Sequence, residues 1–237
     1  MKKDKRPDPK PRKNALLWQS YLWWHESMEQ RKRHNLRIAS IEAGKSNLDA
    51  EYERAMMNDL GLEANLKNLE KILILSGQEA GPIWDWCRGI KGLKSGKLTA
   101  QLLAQIDDIN QFDTVAKLWR FAGWGLDEDK KPDRRKTGKP SNYNGKLKGI
   151  CWNIGDQFIR QQTPHYVDIY YAEKERQRQL HPKPIEVPTG KKKDGEEVFR
   201  TDFTDSHIHN RALRKMIKEF LKDLWVEWKR YELTSPS

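Results

Sequence analysis

Apolar residues recur every three or four positions along most of this chain, and that period predicts helices separated by short breaks. Over 14–40, Leu16, Leu17, Tyr21, Trp24 and Met28 mark one face, and the polar half ends in the basic cluster Arg31, Lys32, Arg33, His34 and Arg37. Over 46–78, Leu48, Tyr52, Ala55, Leu62, Leu66, Leu69 and Leu73 step by three, four or seven. Asn47 is the expected N-cap of that segment, and Gly61 weakens the pattern midway. Two long amphipathic segments with few turn signals predict an antiparallel helical hairpin, or a coiled coil with a partner chain. The Trp23-Trp24 pair belongs to a core or a helix–helix seam on this reading.

Shorter helices are expected at 82–88, with Pro82 in the first turn, at 97–106, and at 113–122, with Asp113 as N-cap and Gly123 and Gly125 as stops. Helix returns at 146–162, where Leu147, Ile150, Cys151, Ile154 and Phe158 form the buried stripe, and at 206–231, where Leu213, Met216, Phe220, Leu224 and Trp228 face the core. Residues 165–180 are aromatic at their start and charged at their end. Breakers fill 181–201, as a loop or a small β-hairpin turning at Lys193-Asp194-Gly195. The expected fold is all-α or nearly so. It has a disordered basic tail at 1–13, a long helical hairpin or coiled coil at 14–80, and a compact helical nucleic-acid-binding domain at 81–237.

Charge narrows the partner. Lys and Arg number 45 against 34 Asp and Glu, a formal charge of +11, which favours a polyanion. Seven of the first thirteen residues are basic. No apolar run approaches the ~20 residues that span a bilayer, and the charged, proline-rich start is unlike a signal peptide. Two cysteines, Cys87 and Cys151, make no disulfide framework, so the expected compartment is cytoplasmic. Ten tryptophans supply bulk for a modest core.

Two segments carry candidate chemistry. Residues 89–97 place Gly89, Gly92 and Gly96 among Lys91, Lys94 and Lys97, directly before an apolar helix. Glycine permits a sharp turn and close backbone approach, and the free N–H groups of a helix start suit a phosphate. Lys91, Gly92, Lys94, Ser95, Gly96 and Lys97 are the candidate phosphate contacts of this helix-hairpin-helix-like motif. The alternative is a turn between two packed helices. The second segment, Lys130 to Lys148, holds eight basic residues against Asp133 alone, with Pro132, Pro140, Gly138 and Gly145 marking it as loop. Arg134, Arg135, Lys136 and Lys139 are its candidate strand or guide-RNA clamps.

The span from about Gly81 to Gly155 resembles the C-terminal domain of the RNA-guided, DEDD-type insertion-sequence transposases. The matching residues are Gly89-Ile-Lys-Gly92-Leu, then Thr99-Ala100-x-Leu102-Leu103-Ala104-x-Ile106-x-Asp108-Ile109, then Phe112-x-Thr114-x-x-Lys117-Leu118-x-x-Phe121-Ala122-Gly123-x-Gly125-Leu126. Thr137-Gly138-Lys139 and Lys146-Leu147-Lys148 stand where that family has a basic loop and the helix after it. The resemblance implies DNA binding, transposition and recombination, and an origin in a mobile element or phage. It also implies a coiled coil over 14–78. Two departures stand beside it. Residues 1–80 carry no strand pattern for the family's RNase-H-like domain, and Thr137 replaces its nucleophilic serine, with Ser141 four residues on.

Other constellations are weak. His207 and His209 are spaced wrongly for one helical face, so no metal site is expected, and Walker, CxxC and GxSxG patterns are absent. No cofactor is expected unless the chain is an enzyme, in which case Mg²⁺ enters. The leading reading is nucleic-acid binding, DNA before structured RNA, with homo-oligomerisation through the N-terminal helices and no membrane partner. One alternative is a strand-transfer enzyme using Thr137 or Ser141 with a nuclease domain in trans. A second is a helical assembly protein.

Overall fold

The computed structural model describes residues 11–126, 138, 141–193 and 196–234, the side chains of 190–193 excepted. Among the described residues there are nine α-helices and one two-stranded sheet, so the fold is mostly helical, as expected. The helices are α1 (Ala15–Glu42), α2 (Ala50–Asp59), α3 (Leu62–Gly77), α4 (Pro82–Gly89), α5 (Lys97–Ile106), α6 (Val115–Phe121), α7 (Gly145–Arg160), α8 (Tyr166–Leu180) and α9 (Asp205–Thr234). The strands β1 (Ile185–Lys193) and β2 (Glu196–Asp202) lie between α8 and α9. No described helix is long and apolar enough to cross a membrane. The chain divides into two compact units: Met1–Arg88 with Ser95–Ile109, and Gly89–Lys94 with Asn110–Ser237.

In the first unit α1 runs antiparallel to α2 and α3. The Ser20 and Ser76 hydroxyls meet at 2.8 Å, Arg31 pairs with Glu63 at 3.3 Å, and His34 and Arg37 hold Glu53 at 2.7 and 3.0 Å. The His34 hydrogen bond, with Arg37 behind it, keeps the Glu53 carboxyl below the usual carboxylate range. The expected long helix at 46–78 is two helices, because Gly61 adopts φ +57° between them. Its N-cap is Asp49, which accepts from the Glu51 N–H, and not Asn47. Leu48 and Tyr52 are exposed, so the buried stripe begins at Leu62. The tryptophan pair splits: Trp24 is buried, while Trp23 and Leu16 face outward. α1 begins where the Asn14 N–H donates to the Asp107 carboxylate at 3.0 Å and its amide donates to the Asp107 carbonyl at 2.8 Å.

In the second unit α9 is the spine, burying Ile208, Ala212, Leu213, Met216, Ile217, Phe220, Leu221, Leu224 and Trp228. The α7 stripe packs on it with Leu147, Ile150, Cys151, Ile154 and Phe158 all buried, as expected. Phe158 stacks on Tyr166 at 4.7 Å, and both meet Phe220 edge-on. Two indoles tie the α6 region to α9: Trp119 donates to the Lys218 carbonyl at 2.9 Å and Trp225 to the Phe112 carbonyl at 3.0 Å. α6 starts at Val115 with Thr114 as N-cap, because Asp113 is engaged by Lys117. The strand pair is antiparallel, Ile185 opposite Asp202, with an irregularity between Pro188 and Lys192.

Gly77 lies against Trp84: a Cβ there would fall 2.2 Å from the ring. Gly77→Ala is expected to lower stability by about 1–3 kcal/mol through overpacking, outweighing a helix-propensity gain of up to about 1 kcal/mol. A rise in Tm by circular dichroism would contradict this.

On α8, the buried Glu173 carboxylate accepts from Arg176, Gln177 and the Lys215 ammonium of α9. Arg176 first, then Lys215 and Gln177, hold its carboxyl down to about 2 from an ordinary 4.5, against the opposing effect of burial. A depressed carboxyl contributes stability above its unfolded pKa, and that contribution is lost as pH falls. The loss should run from about pH 4.5 toward 2. Glu173→Gln should flatten the drop in denaturant midpoint between about pH 6 and about pH 3.

Candidate nucleic-acid interface

The start of α7 is fixed by two local devices. The Asn144 side chain accepts from the Leu147 N–H at 3.0 Å, and the Asn144 N–H donates to the Phe121 carbonyl at 2.8 Å. The Ser141 hydroxyl donates to the Tyr143 carbonyl at 3.0 Å, closing the turn that precedes the cap. Tyr143 then lies over Gly123, where a Cβ would sit 2.7 Å from the ring, and Lys148 reaches across it with its ammonium 4.5 Å from the centroid.

Cations gather at this end of the unit. Arg214 of α9 donates to the Trp124 and Gly125 carbonyls, at 2.9 Å each. Lys218, one turn on, places its ammonium 3.9 Å from the Trp119 centroid. Burial, and then the charge of Arg214, pushes the Lys218 pKa down. Arg120 is exposed beside them, with its backbone against Gly125.

The outer surface of α7 continues this character. At 100° per residue, Gly145, Gly149 and Trp152 fall on one line, with Lys146 and Lys148 on either flank. The two glycines are exposed with nothing within 4 Å of a Cβ position, and Trp152 is 46 % exposed. A glycine in mid-helix costs about 1 kcal/mol, and no contact among the described residues accounts for Gly149. Farther along, Asp156 pairs with Arg160 at 2.8 Å and ends the cationic stretch.

The expected hairpin is divided between the two units. In the second, Lys91 and Lys94 are exposed and Leu93 is fully buried. The Thr163 hydroxyl donates to the Lys91 carbonyl at 2.8 Å. Gly92 has φ +96°, with Phe158 and Thr163 at 3.4 Å from a Cβ position. This segment therefore docks at the far end of α7, about 15 Å along the helix from Lys148. In the first unit Ser95 is exposed, but Gly96 is buried at φ +80° beneath Trp84. Lys97 pairs with Glu70 at 2.6 Å, so its charge is already matched. The remaining candidates, Arg134, Arg135, Lys136, Thr137 and Lys139, lie outside the described residues.

Nucleophilic chemistry finds no positioned group among the described candidates. Ser141 serves its turn, and burial pushes the Cys87 and Cys151 thiols up, the latter to about 12. Among the described residues, His165, Glu219 and Asp223 bring donor atoms within 4.8 Å of one another. The Lys222 ammonium pairs with both carboxylates, and the Tyr166 hydroxyl donates to Asp223 at 3.1 Å. A protein cation thus holds the place a metal ion needs.

Comparisons with protein-family models, curated proteins and solved structures find no match. Function is therefore argued from the chemistry of this surface. The sequence reading set Lys146 and Lys148 aside as family positions and missed Trp152, Gly149, Arg214 and Lys218 as site residues. Their signals were present, in the line of Gly145, Gly149 and Trp152 and in the basic flank of the last helix.

Gly92 tests the docked segment. Its Cβ contacts are ordinary, so the strain of Gly92→Ala is in the backbone, about 1–3 kcal/mol at this φ. The denaturant midpoint should fall accordingly with the m-value unchanged, and an unaltered midpoint would show that the segment is loosely held.

Proposed function

We propose that the chain binds nucleic acid, DNA first and structured RNA second, through the second unit. The observation that carries the reading is the first half of α7. Lysines flank an open glycine strip that ends in an exposed indole, and Arg214 and Lys218 stand where α6 meets α9. Lysine ammoniums contact phosphates, the missing Cβ atoms admit a sugar–phosphate chain close to the helix, and Trp152 offers a face for an unpaired base. Nothing in this arrangement reads base edges, so binding is indifferent to sequence. Lys91 and Lys94 extend the contact along α7, and the segment 130–148 adds basic residues in the sequence. Descent from the insertion-sequence transposases and a cytoplasmic location belong to the proposal. The first rests on the motifs of 81–155 alone.

The test is a salt titration. With about six phosphates engaged, affinity falls by about 10³ between 50 and 200 mM salt. The double variant Lys146→Glu and Lys148→Glu should reduce the salt slope by about two contacts and weaken binding about tenfold or more at the lower salt. Both lysines project from the outer part of α7, so the circular dichroism spectrum should not change. A flat salt response, or a double variant that binds like the parent, overturns the reading.

A further inference from the structure

We propose that the first unit carries a self-association surface, and that a second copy of this chain covers it. The surface is the exposed flank shared by α1 and α3. Helical periodicity puts Leu16, Gln19, Trp23, Glu26 and Gln30 on one line of α1, beside the buried line of Leu17, Ser20, Trp24 and Ser27. The same periodicity puts Asn65, Asn68, Ile72 and Leu75 on one line of α3, beside Leu66, Leu73 and Ser76. The helices are antiparallel and in register at the Ser20–Ser76 contact, so both lines open on the same side of the pair. That side is away from α5, whose Gly96 meets Ile74 and whose Lys97 meets Glu70 on the opposite flank of α3.

Leu16 is 56 % exposed, Trp23 48 %, Ile72 42 % and Leu75 61 %. Single exposed apolar residues need no explanation, but four adjacent ones including a tryptophan do. The charge pattern identifies the occupant. Among these nine residues Glu26 is the one charge, in a chain with 45 lysines and arginines, and the α1 line meets its first cation at the exposed Arg33, at the end of the patch. Lys71 borders the patch on the outer side of α3. A polyanion has nothing to hold there. A second copy does: like-charged chains can approach through the one face that leaves their cations at the rim.

The face is also self-complementary. Trp23 sits level with Ile72 and Leu73, as the Ser20–Ser76 contact fixes the register. A two-fold axis parallel to the helices therefore places Trp23 of each copy on Ile72 and Leu75 of the other, forming a four-helix arrangement. Two helices some 24 Å long, packed about 10 Å apart, give a patch that buries on the order of 1,000 Å² in total. That is the lower bound for a specific interface, so the association is weak.

Sedimentation velocity on the full chain should show a monomer–dimer equilibrium in the micromolar range. Trp23→Glu should abolish it with an unchanged helical spectrum, since half of that ring already faces solvent. Leu75→Glu is the second variant, at a more exposed position, should the first fail to fold. The association should hold between about 50 and about 200 mM salt, because screening removes repulsion between the copies. Nucleic-acid binding must weaken over the same range, which keeps the two readings separable. A monomer at about 100 µM overturns the proposal. So does a dimer that survives both substitutions. A monomer that instead sediments with neutral phosphatidylcholine vesicles assigns the face to lipid and equally overturns it.

Discussion

A missing Cβ beneath an aromatic ring is the contact on which both units are built. In the first, Gly77 and Gly96 both lie against Trp84, so α3, α4 and the start of α5 close on a single indole. In the second, Gly123 seats Tyr143, which fixes the approach to the start of α7. An aromatic ring buries a large area only if a neighbouring backbone comes within contact distance, and glycine is the residue that allows it. A chain with 36 % hydrophobic residues and ten tryptophans depends on such contacts more than one with an aliphatic core. Of the two glycines that read in the sequence as a cradle for phosphate, Gly96 is engaged in this packing and Gly92 serves the turn through its φ.

Charge is distributed just as unevenly. In the second unit the carboxylates are committed to neighbours: Glu173 to Arg176 and Lys215, Glu219 to Lys222, Glu227 to Arg230, Asp156 to Arg160. At the start of α7 and beside Trp119 and Trp124, Lys148 and Lys218 lie over aromatic rings and Arg214 donates to two carbonyls. Most of the internal pairs are exposed and contribute little to stability one at a time. The lowered pKa of Lys218 comes first from burial and second from the neighbouring charge of Arg214.

The helices were legible in the sequence because their apolar stripes are wide and repeat over several turns. Residues 97–106 and the stripe of α7 fall where the periodicity puts them. The misreadings came from choices that periodicity does not make. Asn47 and Asp49 are both competent caps, and tertiary packing selects Asp49. Gly61 breaks a helix only because the chain takes a left-handed conformation there. Trp23 and Trp24 differ by 100° of helix rotation, and which one is buried depends on where α3 lies. The site was harder to read. A lysine laid over a tyrosine ring and one that meets a glutamate look alike in sequence, as Lys148 and Lys97 show. Glycines are no easier: Gly92 and Gly149 have the same side chain, but one is needed for its φ and the other leaves a helix surface open.

The two proposed surfaces are coupled through charge. Each copy carries a formal +11, so bringing two together costs electrostatic work that an apolar patch of minimal size barely offsets. A polyanion bound to the cationic end of each copy removes much of that cost by neutralising both. Binding and association are then linked, and linkage is reciprocal: association raises the affinity for the polyanion by the same factor by which the polyanion raises association. Added salt acts on the two in opposite directions, displacing the protein from phosphates while screening copy from copy. A face without lysine or arginine on a strongly basic chain has its physical sense in this arrangement, since it is where such chains can meet without first losing their charge.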